Sequence, residues 1–149
     1  RVELAELVAN VAEDAAFEGQ QRGCRIVSEG LSGAILHGDR ELLHRALENV
    51  VRNALRHSPD GGLVRITSRS GSQPGWFELQ VDDEGPGVPP AELEAIFAPF
   101  MRSAGAQAHA GYGLGLAITS RVMRLHGGRA SAENRAGGGL SVRLTLPAG

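Results

Sequence analysis

The chain has 149 residues, 15 basic against 17 acidic for a net charge of -2, and 42% of it is hydrophobic, which suits one globular domain with a sizeable core. The near-neutral balance, without a basic cluster, argues against nucleic-acid binding. No run of about 18 apolar residues is present to span a bilayer, and the first residues lack a signal-peptide core.

Apolar residues Val2, Leu4, Leu7, Val8, Val11, Ala12 and Ala15 recur at helical spacing and predict a helix over 2–18, ended by residues 20–23. The lone cysteine, Cys24, excludes an internal disulfide or thiolate metal site, fits a reducing compartment and reads as a packing residue. Short β-prone pieces follow at 25–28 and 34–37. Asp39 stands where a helix N-cap belongs, ahead of a periodic run from Glu41 to His57 that Ser58-Pro59-Asp60-Gly61-Gly62 stops. Strands at 63–69 and 76–82 form a predicted hairpin, and 91–97 a short helix. Residues 101–112 show no periodicity and few large apolar groups; a loop that long in a compact domain is commonly functional or mobile. A further helix over 114–126 and strands at 129–134 and 139–146 close the chain. There is no repeat, linker or second domain. The sum is a single α+β domain over 1–149, a two-layer sandwich with one mixed sheet and helices on one face.

Two compositional features bear on chemistry. All fifteen basic residues are arginine, which removes Schiff-base chemistry, the Walker A lysine and the strand lysine of Ser/Thr/Tyr kinases. Glycine is abundant, 21 residues, and groups as Gly111/Gly113/Gly115, Gly127/Gly128 and Gly137/Gly138/Gly139, a pattern of phosphate-approaching loops and tight turns.

On a wheel of about 100° per residue, Leu43, Ala46, Leu47, Val50 and Ala54 cover one arc of the central helix. Asn53 falls inside that arc and Asn49 borders it. A buried amide must be satisfied, either by neighbouring backbone or by a ligand; the pair, with Arg56 beyond it, would offer amide oxygens to a metal ion and a guanidinium to phosphate. In the strand at 76–82, parity puts Asp83 on the side of Phe77, Leu79 and Val81. A carboxylate at the end of an apolar stripe needs donors, and a purine amine is one; a turn in which Asp83 folds onto its own backbone is the alternative. Flanking glycines would let a flat ring approach the backbone. The run Gly111-Tyr112-Gly113-Leu114-Gly115-Leu116 enters a helix directly, a suitable anion site, although helix packing also selects glycine and neither the dinucleotide nor the Walker pattern is matched.

The order and joint presence of these features resemble the ATP-binding catalytic domain of bacterial sensor histidine kinases, in the superfamily of gyrase, Hsp90, histidine kinases and MutL. Residues 47–58 look like the family's N box, Asp83-Glu84-Gly85-Pro86-Gly87 its first glycine box, Phe97-Ala98-Pro99-Phe100 its F box, and Gly111 to Leu116 its second glycine box. The resemblance implies a Bergerat-type ATP-binding fold, with about five strands and three main helices. It implies that Asn49 and Asn53 bind Mg²⁺ and the phosphates, that Arg56 reaches the phosphates, that His57 lies near adenine, and that Asp83 accepts from the adenine amine. Gly85, Gly87, Phe100, Arg102, Gly111, Tyr112, Gly113, Leu114, Gly115 and Leu116 complete the implied ATP contacts, with residues 101–112 as a lid. Tyr112 stands where a small residue is commoner in the family.

The implied function is to bind Mg·ATP and donate the γ-phosphoryl group to a histidine on the dimerisation domain of the same kinase, for relay to a response regulator. Hydrolytic relatives carry a water-activating Glu where this chain has Asn49, and Glu48 points nearly opposite to Asn53, so ATP hydrolysis is expected to be slow. None of His37, His44, His57, His109 and His126 has the acidic-then-proline context of the family's phosphoacceptor; on helices, His44 and His126 read as solvated or packing residues. The phosphoacceptor hairpin, sensor and transmembrane region are therefore expected upstream. The isolated chain is expected to be a monomer, the full-length kinase a homodimer, and this domain cytoplasmic beneath the bacterial inner membrane. Alternatives are a non-catalytic nucleotide-binding or interaction module and an anti-sigma-type Ser/Thr kinase.

Overall fold

A computed structural model describes residues 1–98 and 115–148. The expected lid, with Phe100, Arg102, Gly111, Tyr112, Gly113 and Leu114, lies outside the described residues.

The elements run β1 (Val2–Glu3), α1 (Leu4–Gly19), β2 (Arg25–Glu29), β3 (Ile35–Leu36), α2 (Arg40–His57), β4 (Leu63–Ser70), β5 (Trp76–Asp82), α3 (Gly115–Leu125), β6 (Arg129–Asn134) and β7 (Leu140–Pro147). Five strands form a mixed sheet in the order β2-β4-β5-β7-β6, with β2 parallel to β4 and every other neighbour antiparallel. The expected hairpin is β4–β5, with Ile66 opposite Val81 and Arg65 opposite Asp82.

Strand parity divides the sheet into two faces. Val64 and Ile66, Leu79 and Val81, and Val142, Leu144 and Leu146 are buried beneath the helices. The other face carries Arg69, Glu78, Glu133 and Arg143, joined in ion pairs of 2.7–3.4 Å. One face is thus a core and the other is wetted, as alternation in an antiparallel sheet allows.

Helix α2 packs against both α1 and α3. Its buried surface is wider than the predicted arc, because Val51 and Leu55 are buried with Leu43, Ala46, Leu47, Val50 and Ala54. Its start is capped locally and its end from far along the chain. Asp39 accepts from Leu42 N–H at 3.0 Å, a side-chain N-cap. At the other end, Arg22 donates to the carbonyls of Leu55 (2.8 Å) and Ser58, which helix geometry leaves without intrahelical partners. His126 donates from Nδ1 to Val122 O at 2.8 Å, and its Nε2 accepts Asp39 N–H at 3.1 Å, so it ties the end of α3 to the start of α2. It is a packing histidine, and Cys24 is likewise buried, 3.4 Å from Pro59 O.

Two local expectations are corrected. Val2 belongs to a strand, because β1 pairs with β3 (Val2 opposite Leu36) and Leu4 N–H donates to Ala34 O at 2.8 Å before the helix proceeds. An apolar residue two positions before a helical stripe fits either period. Residues 91–97 form two single 3₁₀ turns, Pro90–Glu92 and Ala95–Phe97, closed by i→i+3 bonds such as Glu92 N–H to Pro89 O. So short a segment has too few bonds to repay helix nucleation, and only Ile96 within these turns is buried.

Candidate functional site

The site runs along α2, through side chains one turn apart. Asn49 is half-buried and donates from Nδ2 to Gly115 O at 3.2 Å. That bond uses one of the two amide N–H donors and fixes the orientation of the side chain, so its oxygen can serve as an acceptor. Thr119 Oγ1 reaches Ala46 O (2.9 Å) and Gly115 O (3.1 Å), so the first turn of α3 is fixed to α2 beside Asn49. One turn on, Asn53 is 2% exposed and its Oδ1 has no hydrogen-bond partner among the described residues. Of the two readings of a buried amide, bonding of the oxygen to neighbouring backbone is not the one realised. An orphaned buried carbonyl costs about 1–3 kcal/mol, and hard oxygen donors of this kind are what a divalent cation such as Mg²⁺ takes.

At the end of α2 the helix meets the loop after β5. A Cβ on Gly85 would collide with the carbonyl oxygen of His57. Gly85 is therefore needed for this helix–loop contact; the space is filled by backbone and is not left open for a flat ring, a correction to the expected reason. The rise of a helix puts Asn49 and His57 roughly 12 Å apart along the axis, with Gly115 at one end and Gly85 at the other. Arg56 is exposed.

Asp83 has the predicted inward parity and is 3% exposed. Its Oδ1 accepts from Gly85 N–H (2.8 Å) and Leu140 N–H (3.2 Å), while no described residue donates to Oδ2. The Asx-type turn and the ligand reading are thus compatible, since the turn occupies one oxygen. Burial pushes the Asp83 carboxyl above its ordinary range; the two backbone donors and the charge of Arg135 pull it back, and neighbouring Asp82 adds to the rise. Asp82 points the other way and accepts from Gln80 and Ser141 on the wetted face. Glu84 also turns away, accepting Leu63 N–H at 2.9 Å.

The connection between β6 and β7 clamps this loop. Asn134 pairs with the backbone of Val88 in both directions, Oδ1 accepting its N–H at 3.0 Å and Nδ2 donating to its carbonyl at 2.7 Å. Arg135 Nη1 donates to Asp83 O at 2.7 Å. Gly87 and Gly139 both have positive φ, and a Cβ on either would strike the clamp, Asn134 Oδ1 in one case and Asp83 O in the other. Sequence reasoning missed Asn134, Arg135 and Thr119. The Gly137-Gly138-Gly139 run announced a tight turn, but nothing in the sequence says what that turn closes over.

Leu116 is fully buried in the core, so its side chain packs and only its backbone is available to a ligand. Glu48 lies with Asp14 and His44 on the α1 side of α2 and pairs with Arg52 at 3.6 Å. It faces away from Asn53, as its place on the wheel requires.

Residues 38–149 match the family model described as histidine kinase-, DNA gyrase B- and HSP90-like ATPase. The chain is 44% identical over 104 residues to the signal transduction histidine-protein kinase/phosphatase MprB of Mycolicibacterium paratuberculosis, covering 70% of this chain and 20% of that protein. It is 36% identical over 149 residues to the sensor protein CutS of Streptomyces coelicolor, covering 98% and 35%. A solved structure of mycobacterial sensor histidine kinase MprB superposes with a TM-score of 0.88 at 33% identity, over 98% of this chain and 96% of that one. The chain spans between a fifth and about a third of the length of these curated relatives.

Proposed function

The chain belongs to the family of histidine kinase-, DNA gyrase B- and HSP90-like ATPases, and from that premise we propose that it binds Mg·ATP and presents the γ-phosphoryl group to a histidine on the dimerisation domain of its own sensor kinase. The observation that carries the reading is Asp83: a carboxylate enclosed by core, one oxygen committed to two backbone donors and the other without a donor among the described residues. That oxygen is a single acceptor at a fixed position, the complement of the exocyclic amine of adenine.

Phosphates would lie toward Asn49, Asn53 and the first turn of α3. The amide oxygens of Asn49 and Asn53 would hold Mg²⁺, consistent with the orphaned Asn53 Oδ1. When bound, the ion neutralises phosphate charge. Backbone N–H groups at the start of α3 offer an anion site, and Arg56 supplies a guanidinium that keeps its charge beside phosphate. Such a transfer needs little covalent chemistry from the protein; positioning and charge neutralisation dominate. Glu48 is turned to α1, which leaves Asn53 without an adjoining carboxylate base on α2 to activate water and favours transfer over hydrolysis.

The acceptor histidine belongs to a helical hairpin of the same kinase, with relay to a response regulator, in a homodimeric inner-membrane protein whose cytoplasmic domain this is. Among the described residues no helix is long and apolar enough to cross a membrane. Titration calorimetry with ADP and a non-hydrolysable ATP analogue, with and without Mg²⁺, tests the site. Adenine-selective, Mg²⁺-sensitive binding supports the reading, and its absence up to millimolar nucleotide overturns it. Transfer of labelled phosphate from ATP to a supplied histidine hairpin then tests the reaction.

A further inference from the structure

The carboxylate of Asp83 does not hold itself in place. One of its two anchors, Leu140 N–H, is the first residue of β7, and its position depends on the turn between β6 and β7. That turn is closed by Arg135 N–H to Gly139 O at 2.8 Å and Gly138 N–H to Arg135 O at 3.1 Å. The Arg135 side chain then spans back, Nη1 donating to Asp83 O at 2.7 Å with Gly138 O at 3.4 Å. One guanidinium thus joins the backbone of the carboxylate-bearing residue to the turn that supplies that carboxylate's donor.

We infer that Arg135 is a positioning residue for adenine recognition: it fixes where the Asp83 carboxylate sits and holds a positive charge beside it, without touching the nucleotide. The inference rests on the adenine role proposed above for Asp83. Three features of the turn support it. Gly139 approaches so closely that any side chain would meet Asp83 O, so turn and loop are built as a matched pair. Asn134, adjacent to Arg135, secures the far end of the same loop at Val88. The guanidinium also opposes the upward push that burial exerts on the Asp83 carboxyl.

Other charged groups near Asp83 among the described residues are held elsewhere. Asp82, its neighbour on β5, raises the Asp83 carboxyl slightly and points to the wetted face. Arg65 on β4 stands opposite Asp82 in register but pairs with Glu29 at 3.1 Å. Glu84 is held by Leu63 N–H. From α2, His57 meets the loop at Gly85 through its backbone carbonyl. Arg135 is therefore the cation whose removal acts most directly on Asp83.

The test is Mg²⁺-free ADP affinity against pH for the wild type, Arg135→Gln, Arg135→Lys and Asp83→Asn, with folding of each checked by thermal unfolding. ADP's own phosphate titrates alike in all four series, so differences belong to the protein. An adenine amine donates to ionised Asp83, so affinity falls as pH drops through the carboxyl's folded value. Loss of a nearby cation raises that value, and the fall in Arg135→Gln should begin at a higher pH than in the wild type. Arg135→Lys, which keeps the charge, should return the midpoint toward wild type. An Arg135→Gln midpoint equal to wild type, with affinity lowered evenly at every pH or unchanged, overturns the inference and leaves Arg135 a structural clamp. The adenine reading fails separately, if Asp83→Asn binds ADP as the wild type does.

Discussion

Asn49 and Gly115 are joined by a 3.2 Å hydrogen bond across 66 positions of sequence. The bond makes the mid-section of α2 and the first turn of α3 one rigid wall of the site, reinforced by Thr119 on the carbonyls of Ala46 and Gly115. It also orients the Asn49 amide, whose Nδ2 is held on Gly115 O.

Asn53 carries the opposite economy. Its Oδ1 is buried and unpartnered, so the apo protein bears a desolvation penalty of about 1–3 kcal/mol there. Asn53→Ala removes that penalty along with some packing, and its thermal midpoint should stay within a few degrees of wild type. Mg²⁺-dependent nucleotide affinity should fall at least tenfold in calorimetry. A marked loss of stability with unchanged affinity would assign Asn53 to the core.

Asp83 links nucleotide binding to acid stability with a defined sign. Its folded carboxyl lies above the ordinary 3.8, so between 3.8 and the raised value the folded state holds a proton that the unfolded chain has released. Stability contributed by this group is therefore fully present below 3.8 and is lost as pH rises through that window. Asp83→Asn keeps an oxygen for Gly85 and Leu140 and has no charge to bury. Its stability at pH 7 relative to pH 4 should exceed that of wild type in denaturant titrations, while ADP and ATP affinities fall together.

The glycines separate into two classes by what a methyl group would meet. At Gly115 a Cβ would lie 3.7 Å from Asn49 Cβ, an ordinary contact, and the residue opens a helix. Gly115→Ala should therefore be neutral or stabilising, by up to about 1 kcal/mol. At Gly139 the backbone has φ of 103° and a Cβ would run into Asp83 O. Gly139→Ala should destabilise by about 2–4 kcal/mol and should also weaken ADP binding through the displaced loop. Urea unfolding of the two variants side by side decides the assignment.

Arg22 closes the end of α2 with bonds to Leu55 O and Ser58 O, and its exposed pairing with Asp60 adds little. Arg22→Ala should cost about 1–3 kcal/mol. Arg22→Lys should recover only part of it, because one ammonium replaces a fork that reaches two carbonyls. Asp60→Ala, by contrast, should leave the unfolding midpoint almost unmoved.

Much of this arrangement was legible in the sequence because it is periodic. The inward parity of Asp83 follows from counting along β5, and the placement of Asn53 in an apolar arc follows from counting along α2. The turn at 58–62 follows from serine, proline and glycine, and the β4–β5 hairpin from the Ser/Gly/Pro residues that link its strands. Period alone could not separate Val2 in a strand from Val2 in a helix, since its partner Leu36 lies 34 positions away. Nor could it find the clamp: Arg135 is one of fifteen arginines, and its role depends on a carbonyl 52 positions earlier. The glycine of the first glycine box was read as making room for a base, whereas the end of α2 occupies that room. Contacts that use backbone carbonyls leave no residue-type signature.

The two margins of the sheet carry a consequence for how copies of this chain meet. β2 and β6 are its outer strands, and each carries exposed charge, Arg25 and Glu29 on one and Arg129 and Glu133 on the other. An outer strand offers free N–H and C=O groups to any passing strand, and charged residues along it are a standard deterrent to such pairing. In a parallel, in-register extension of this sheet, like charges of neighbouring copies would stand directly opposite one another. The margins that expose backbone are thereby guarded against parallel, fibre-like stacking.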